Sequence, residues 1–119
     1  MAKTGAQHLE SLRDGREVFL NGEKVDDVTT HPAYKNAVAA AANLYDFQAD
    51  PENIEWMTFE SPTSGERVNR CWQLTTSYEE LVARRRAIEG WSRLSGGWLG
   101  RSPDHIASSM VGQVMGLPV

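Results

Sequence analysis

Cysteine is nearly absent from this sequence: Cys71 stands alone among 119 residues, so no disulfide can close within the chain and a reducing, cytoplasmic setting is expected. Long apolar runs are missing too. Even the alanine-rich Ala37 to Ala42 falls far short of the roughly 20 residues that cross a bilayer, and Met1-Ala2-Lys3-Thr4 is not followed by the apolar stretch of a secretory signal. Basic excess is lacking as well. A net charge of −4 and a pI near 5.3 provide no field to hold nucleic acid or an anionic membrane surface. There is no glycine-rich phosphate loop with its lysine and no nucleophile elbow. His8, His31 and His105 lie far apart, and with one cysteine they set out no metal-ligand spacing, so no metal is expected.

What the chain does have is punctuation, and it suffices for one domain over residues 1–119. Thr4 and Gln7 have capping-box spacing, with Leu9 and Leu12 on one face and Gly15 as a stop, which predicts a helix over 5–14. Glu17-Val18-Phe19-Leu20 and Glu23-Lys24-Val25 flank Asn21-Gly22, a pair that tolerates positive φ at both turn positions and so predicts a β-hairpin. Pro32 suits the first turn of a helix capped by Thr30 or His31, running to Asp46 with Tyr34, Val38, Ala41 and Tyr45 on one stripe. Asp50-Pro51-Glu52 ends it.

Trp56 to Phe59 and Val68 to Trp72 read as extended around a polar turn at Ser61 to Glu66, a second hairpin. Ser77 and Glu80 open the longest helix, striped by Leu81, Val82, Ile88, Trp91 and Leu94 and broken by Gly96-Gly97. Ser102-Pro103-Asp104 then offers a cap, a first-turn proline and a first-turn acid for a last helix carrying Ile106, Met110, Val111 and Val114. The fold class expected is mainly α (α+β), a helical domain with two short hairpins. The apolar ending Gly116-Leu117-Pro118-Val119 leads us to expect a continuation.

Chemistry concentrates at Gly100-Arg101-Ser102-Pro103-Asp104-His105. Arg101 stands at the mouth of a helix amino terminus, beside free amides and the positive dipole end, a corner that favours anions. His105 falls in the first turn, placed to line one wall with Arg101 and donate to an oxygen ligand. The same pattern also serves as a structural cap with Arg101 paired to a carboxylate. Arg84-Arg85-Arg86 cannot share one helix face, so most of that charge is expected to be solvated. Of the four tryptophans, Trp56, Trp72, Trp91 and Trp98, core packing is the expected role rather than stacking on a ligand. His31 is expected to serve helix entry rather than base catalysis.

Three stretches taken together, Thr4-Gly5-Ala6 through Arg13-Asp14-Gly15-Arg16, Asn21-Gly22-Glu23-Lys24-Val25 with Asp27 through Ala33, and Gly100 through His105, resemble the amino-terminal domain of the 4-hydroxyphenylacetate 3-hydroxylase family. Ser61 to Arg67 and Leu81 to Arg86 are similar to it as well. The resemblance implies the first, helical domain of a longer protein whose central β domain and carboxy-terminal helical bundle are absent here, an arrangement similar to acyl-CoA dehydrogenases. It further implies a two-component monooxygenase, often a homo-oligomer, in which a separate reductase supplies reduced FAD and oxygen enters a phenol ortho to its hydroxyl.

In the family, the arginine matched by Arg101 contacts the phenolic substrate. The position matched by His105 is tyrosine in the 4-hydroxyphenylacetate enzymes, and histidine there looks more like relatives acting on chlorinated or nitro phenols or on carrier-bound tyrosine analogues. Flavin contacts and the principal catalytic base lie in later domains, so the resemblance assigns neither to any residue here. A related branch, the 4-hydroxybutyryl-CoA dehydratases, takes cysteine ligands for an iron–sulfur cluster from this neighbourhood, and around Arg101 there are none. The competing expectation is a stand-alone truncated homologue acting as a non-catalytic binding or assembly module.

Overall fold

The computed structural model describes residues 2–97 and 103–117. Among these residues, five α-helices, α1 (Gly5–Ser11), α2 (Lys35–Ala49), α3 (Ile54–Met57), α4 (Tyr78–Leu94) and α5 (Pro103–Met115), carry two small antiparallel sheets, β1 (Val18–Leu20) with β2 (Glu23–Val25) and β3 (Thr58–Glu60) with β4 (Arg67–Asn69). The mainly helical α+β class with two short hairpins is therefore the class observed.

Local chemistry set the ends of several elements as expected. Thr4 Oγ1 accepts from the Gln7 amide at 3.3 Å while Gln7 Oε1 accepts from the Thr4 amide at 2.9 Å, a complete capping box. Asn21 and Gly22 have φ of 53° and 87°, the paired left-handed conformation of a tight hairpin turn. After α4, Gly96 takes φ 64°, and the Gly97 amide reaches back to the Ser92 carbonyl at 2.8 Å, closing the helix with a left-handed cap. The α4 start differs in detail. Ser77 caps the Glu80 amide at 3.2 Å, but the Glu80 carboxylate turns to the amide of Thr76 at 2.7 Å.

Elsewhere tertiary demands overrode the pattern. α1 stops at Ser11, short of residue 14. α2 begins at Lys35 rather than Pro32 and has no side-chain cap, because Asp27 draws the preceding chain into its own turn: its carboxylate accepts from the Thr29 amide and hydroxyl and its carbonyl accepts from the amides of Thr30 and His31. Trp56 and Met57 are helical, not extended, since the Asp50 carbonyl nucleates a turn by accepting from the Asn53 and Ile54 amides. Arg70–Trp72 form a 3₁₀ turn that Asn69 caps through the Cys71 amide at 2.8 Å.

The core joins Leu44, Met57, Cys71, Ala87, Trp91 and Ala107, with Phe47, Trp56 and Ile88 packed at its edge. Trp91 is 2% exposed and donates its Nε1–H to the Leu44 carbonyl, so it fulfils its packing role with its polar handle satisfied. Trp56 lies edge-on to Phe47, whereas Trp72 is exposed and Trp98 lies outside the described residues. The stripes expected on α4 and α5 are only partly buried. Leu81, Val82 and Leu94 are exposed, and α5 buries Ala107 and Val111 while Ile106, Met110 and Val114 face outward. A β-carbon on Gly90 would run into the Trp56 ring, so α4 and α3 meet closely at the core edge.

Candidate functional site

His105 is the third residue of α5, in its first turn as expected, with an exposed side chain and a carbonyl that accepts from Ser109 Oγ at 3.1 Å. Arg101, and with it the expected pairing of the two side chains, lies outside the described residues. One turn along from His105, Ser108 meets one member of the arginine triplet, most of whose charge is expected to be solvated. Arg84 is half-buried, its Nε and Nη2 donating to the Cys71 carbonyl at 3.0 and 2.9 Å and Nη2 donating to Ser108 Oγ at 2.9 Å. Its neighbours follow the expectation more closely: Arg85 and Arg86 are exposed, with the Arg86 guanidinium over the Trp56 ring at 5.5 Å. The triplet thus splits by helix geometry into one interior and two outer cations.

Beneath this edge lies a buried polar lattice. Asn69 Nδ2 donates to Gln48 Oε1 at 2.7 Å and Gln48 Nε2 donates to the Lys3 carbonyl at 3.1 Å. The Arg70 guanidinium donates to the carbonyls of Trp56, Glu55 and Thr58 and to Gln73 Oε1, and burial pulls it below its ordinary pKa. These groups are consumed in holding backbone and offer little to a ligand. His8, which no sequence signal singled out, stacks on Tyr45 at 4.4 Å between ring centroids, and burial first and Lys3 second push its pKa down. Its Nδ1 is buried without a hydrogen-bond partner. His31 tilts against Tyr34 and its Nδ1 accepts from the Ala33 amide at 3.2 Å, in keeping with helix entry.

Two open clefts test whether these residues fit the flavin that the resemblance implies. A cleft of about 540 Å³ beside β3 and the start of α4 is walled by Phe59, Val68, Trp72 and Leu74 and carries Glu60 and Glu80, with no cation in its lining. A second, of about 480 Å³, sets Arg70 and Arg86 against Glu55 and Glu79 beside Trp56, with the Arg70 N–H groups already committed to carbonyls. Neither presents the amide or cation cradle that a dinucleotide diphosphate requires. Neither of these two clefts makes a self-contained flavin site. Nor do three or more His, Cys, Asp or Glu side chains converge on a metal position among the described residues, and no described helix is long and apolar enough to cross a membrane.

Comparison with known proteins follows the fold. Residues 4–117 match the family described as 4-hydroxyphenylacetate 3-hydroxylase N terminal. The chain is 43% identical over 111 residues to the 4-hydroxyphenylacetate 3-monooxygenase oxygenase component of Geobacillus sp. (strain PA-9), covering 92% of this chain and 22% of that protein. It is 46% identical over 106 residues to the 4-nitrophenol 2-monooxygenase oxygenase component of Rhodococcus sp., covering 88% and 20%. The crystal structure of an oxygenase component of 4-hydroxyphenylacetate 3-monooxygenase complexed with FAD and 4-hydroxyphenylacetate superposes with a TM-score of 0.79 at 37% identity, over 88% of this chain and 22% of that one. The chain therefore spans about a fifth of the length of the relatives it matches.

Proposed function

The chain belongs to the 4-hydroxyphenylacetate 3-hydroxylase family, and from that membership we propose that it is the amino-terminal helical portion of the oxygenase component of a two-component, flavin-dependent phenol monooxygenase. The observation that carries this reading is the match along residues 4–117 to the amino-terminal part of enzymes about five times as long. The whole protein would hydroxylate a phenol ortho to its hydroxyl, in the cytoplasm and as a homo-oligomer, with reduced FAD delivered by a separate reductase and bound mainly by residues beyond this portion.

Within the portion we assign substrate contact to Arg101 and His105. A phenol with a pKa of about 10 reacts poorly until its phenolate is favoured, and a guanidinium does this without competing for the proton. His105, on the outward first turn of α5, adds a donor to an oxygen of the same ligand. The histidine at this position favours a chlorinated or nitro phenol or a carrier-bound tyrosine analogue, and the relatives include a 4-nitrophenol 2-monooxygenase oxygenase component. No step is assigned to the flavin, since neither of the two clefts described above fits it.

A second reading, a stand-alone non-catalytic binding or assembly module, draws on one observation. From Ile106 to Leu117 there is no charged residue, and Ile106, Met110, Val114, Met115 and Leu117 are all exposed. A helix so exposed and so apolar needs a cover. In the first reading the cover is the remainder of the same oxygenase; in the second it is another polypeptide.

The test is a graft. This chain replaces the matching segment of the Geobacillus enzyme, and the product is assayed with its reductase on 4-nitrophenol and 4-hydroxyphenylacetate beside Arg101→Ala. The expected result is hydroxylation that falls by about a hundredfold in the variant, while the isolated 119-residue chain forms no product. A graft that binds FAD yet works equally well without Arg101 would remove the substrate assignment. Arg101-dependent product from the isolated chain would remove the claim that it is a portion.

A further inference from the structure

We propose that Arg84 is a positioning residue that sets the start of α5, and with it His105, against the rest of the domain. This deepens the substrate assignment above and rests on it for its functional meaning. Arg84 projects from the middle of α4 and holds two elements at once, the Cys71 carbonyl on the 3₁₀ turn and the Ser108 hydroxyl on α5. Ser108 follows His105 by three residues, so the two stand one above the other on neighbouring turns of one helix. A pull on Ser108 therefore fixes the direction in which the first turn of α5 points.

Among the described residues, other fastenings of α5 are modest. The described side chains it buries are Ala107 and Val111, which contribute little apolar area, while Ile106, Met110, Val114 and Met115 are exposed. The chain leaves α4 through Gly96 and Gly97, both in left-handed conformations and neither packed against a neighbour at its β-position. Between a small-residue contact and a glycine exit, the guanidinium fork is the directional element. No carboxylate lies within ion-pair reach of Arg84 among the described residues. Its hydrogen bonds go to a carbonyl and a hydroxyl, and a lysine ammonium, a point charge without the planar fork, would not reproduce both.

The experiment uses the 119-residue chain, labelled for NMR, as wild type, Arg84→Lys, Ser108→Ala and the double variant, and the same Arg84→Lys change in the graft assayed on 4-nitrophenol. In Arg84→Lys the α5 amides are expected to exchange about tenfold faster while α2 amides such as Leu44 and Phe47 stay within about twofold. Ser108→Ala, the milder change that keeps the fold if Arg84→Lys does not, should move α5 in the same direction. The double variant should be no worse than Arg84→Lys alone, because the two changes remove one interaction. In the graft described above, the KM for 4-nitrophenol should rise roughly fivefold or more in Arg84→Lys. Unchanged α5 exchange, equal acceleration of α2 and α5, or additive effects in the double variant would each overturn the positioning role. A graft whose KM for 4-nitrophenol is unchanged by Arg84→Lys would instead overturn the link to the phenol site, with the exchange data still deciding Arg84.

Discussion

The two hairpins of this domain reach the same size by different routes. β1–β2 pairs Val18 with Val25 and Leu20 with Glu23 around a turn whose two residues alone dictate its shape, and Phe19 on it is exposed. β3–β4 pairs Thr58 with Asn69 and Glu60 with Arg67 across a longer polar connection, and its buried pair is bound into the interior. Thr58 is fully buried, its hydroxyl donating to the Ile54 carbonyl and accepting from Arg67, while Asn69 bridges Gln48 and the Cys71 amide. One hairpin is a local decision, the other a tertiary one. A substitution in the first should therefore stay local, and one in the second should spread.

The sharpest way to break that contrast is Met57→Ala. Met57 is fully buried immediately before β3, and its loss should cost about 2–5 kcal/mol in denaturant unfolding. A cost under about 1 kcal/mol would mean that β3 is not fastened by the core. Next, Asn69→Ala removes the donor to Gln48 Oε1 and the side-chain acceptor of the Cys71 amide, for which we expect about 1–3 kcal/mol, with resonances shifted in α2 as well as in the sheet. Gly22→Ala forces a β-carbon into φ 87° and should cost about 1 kcal/mol. Cross-strand nuclear Overhauser effects should weaken between 18–20 and 23–25 and stay intact between 58–60 and 67–69.

The smallest effect concerns pH. Burial and Lys3 lower the His8 pKa in the folded state, so below about pH 6.5 the unfolded chain takes up a proton that the folded one resists. Stability should be unaffected above that pH and should decline as pH falls through it. Thermal midpoints of His8→Phe should decline less over the same window.

The same division explains what could be read from residues alone. Thr4 with Gln7, Asn21-Gly22, Gly96-Gly97 and Pro103-Asp104 act through their own backbone, and the elements they bound were legible. Trp56 and Trp72 have β-favouring side chains, yet Asp50 and Asn69, acting through hydrogen bonds, turn their segments helical. At the site, the Arg-Ser-Pro-Asp-His run placed a helix start with His105 in its first turn. Arg84 could not be told from Arg85 and Arg86 by composition or spacing, because only the arrival of Ser108 from 24 residues downstream separates them.

The seating of α1 bears on how the chain is made. Its first amide, on Gly5, donates to Asp46 Oδ1 at 2.7 Å across a separation of 41 residues, and Lys3 is held by Gln48 from the same helix. A seven-residue helix is unstable by itself in water. At a ribosomal pace of about 5–20 residues per second, α1 waits roughly two to eight seconds for the anchor that gives it a reason to exist. During that interval the segment around α1 lacks its seat on α2 and is open to proteases and chaperones alike.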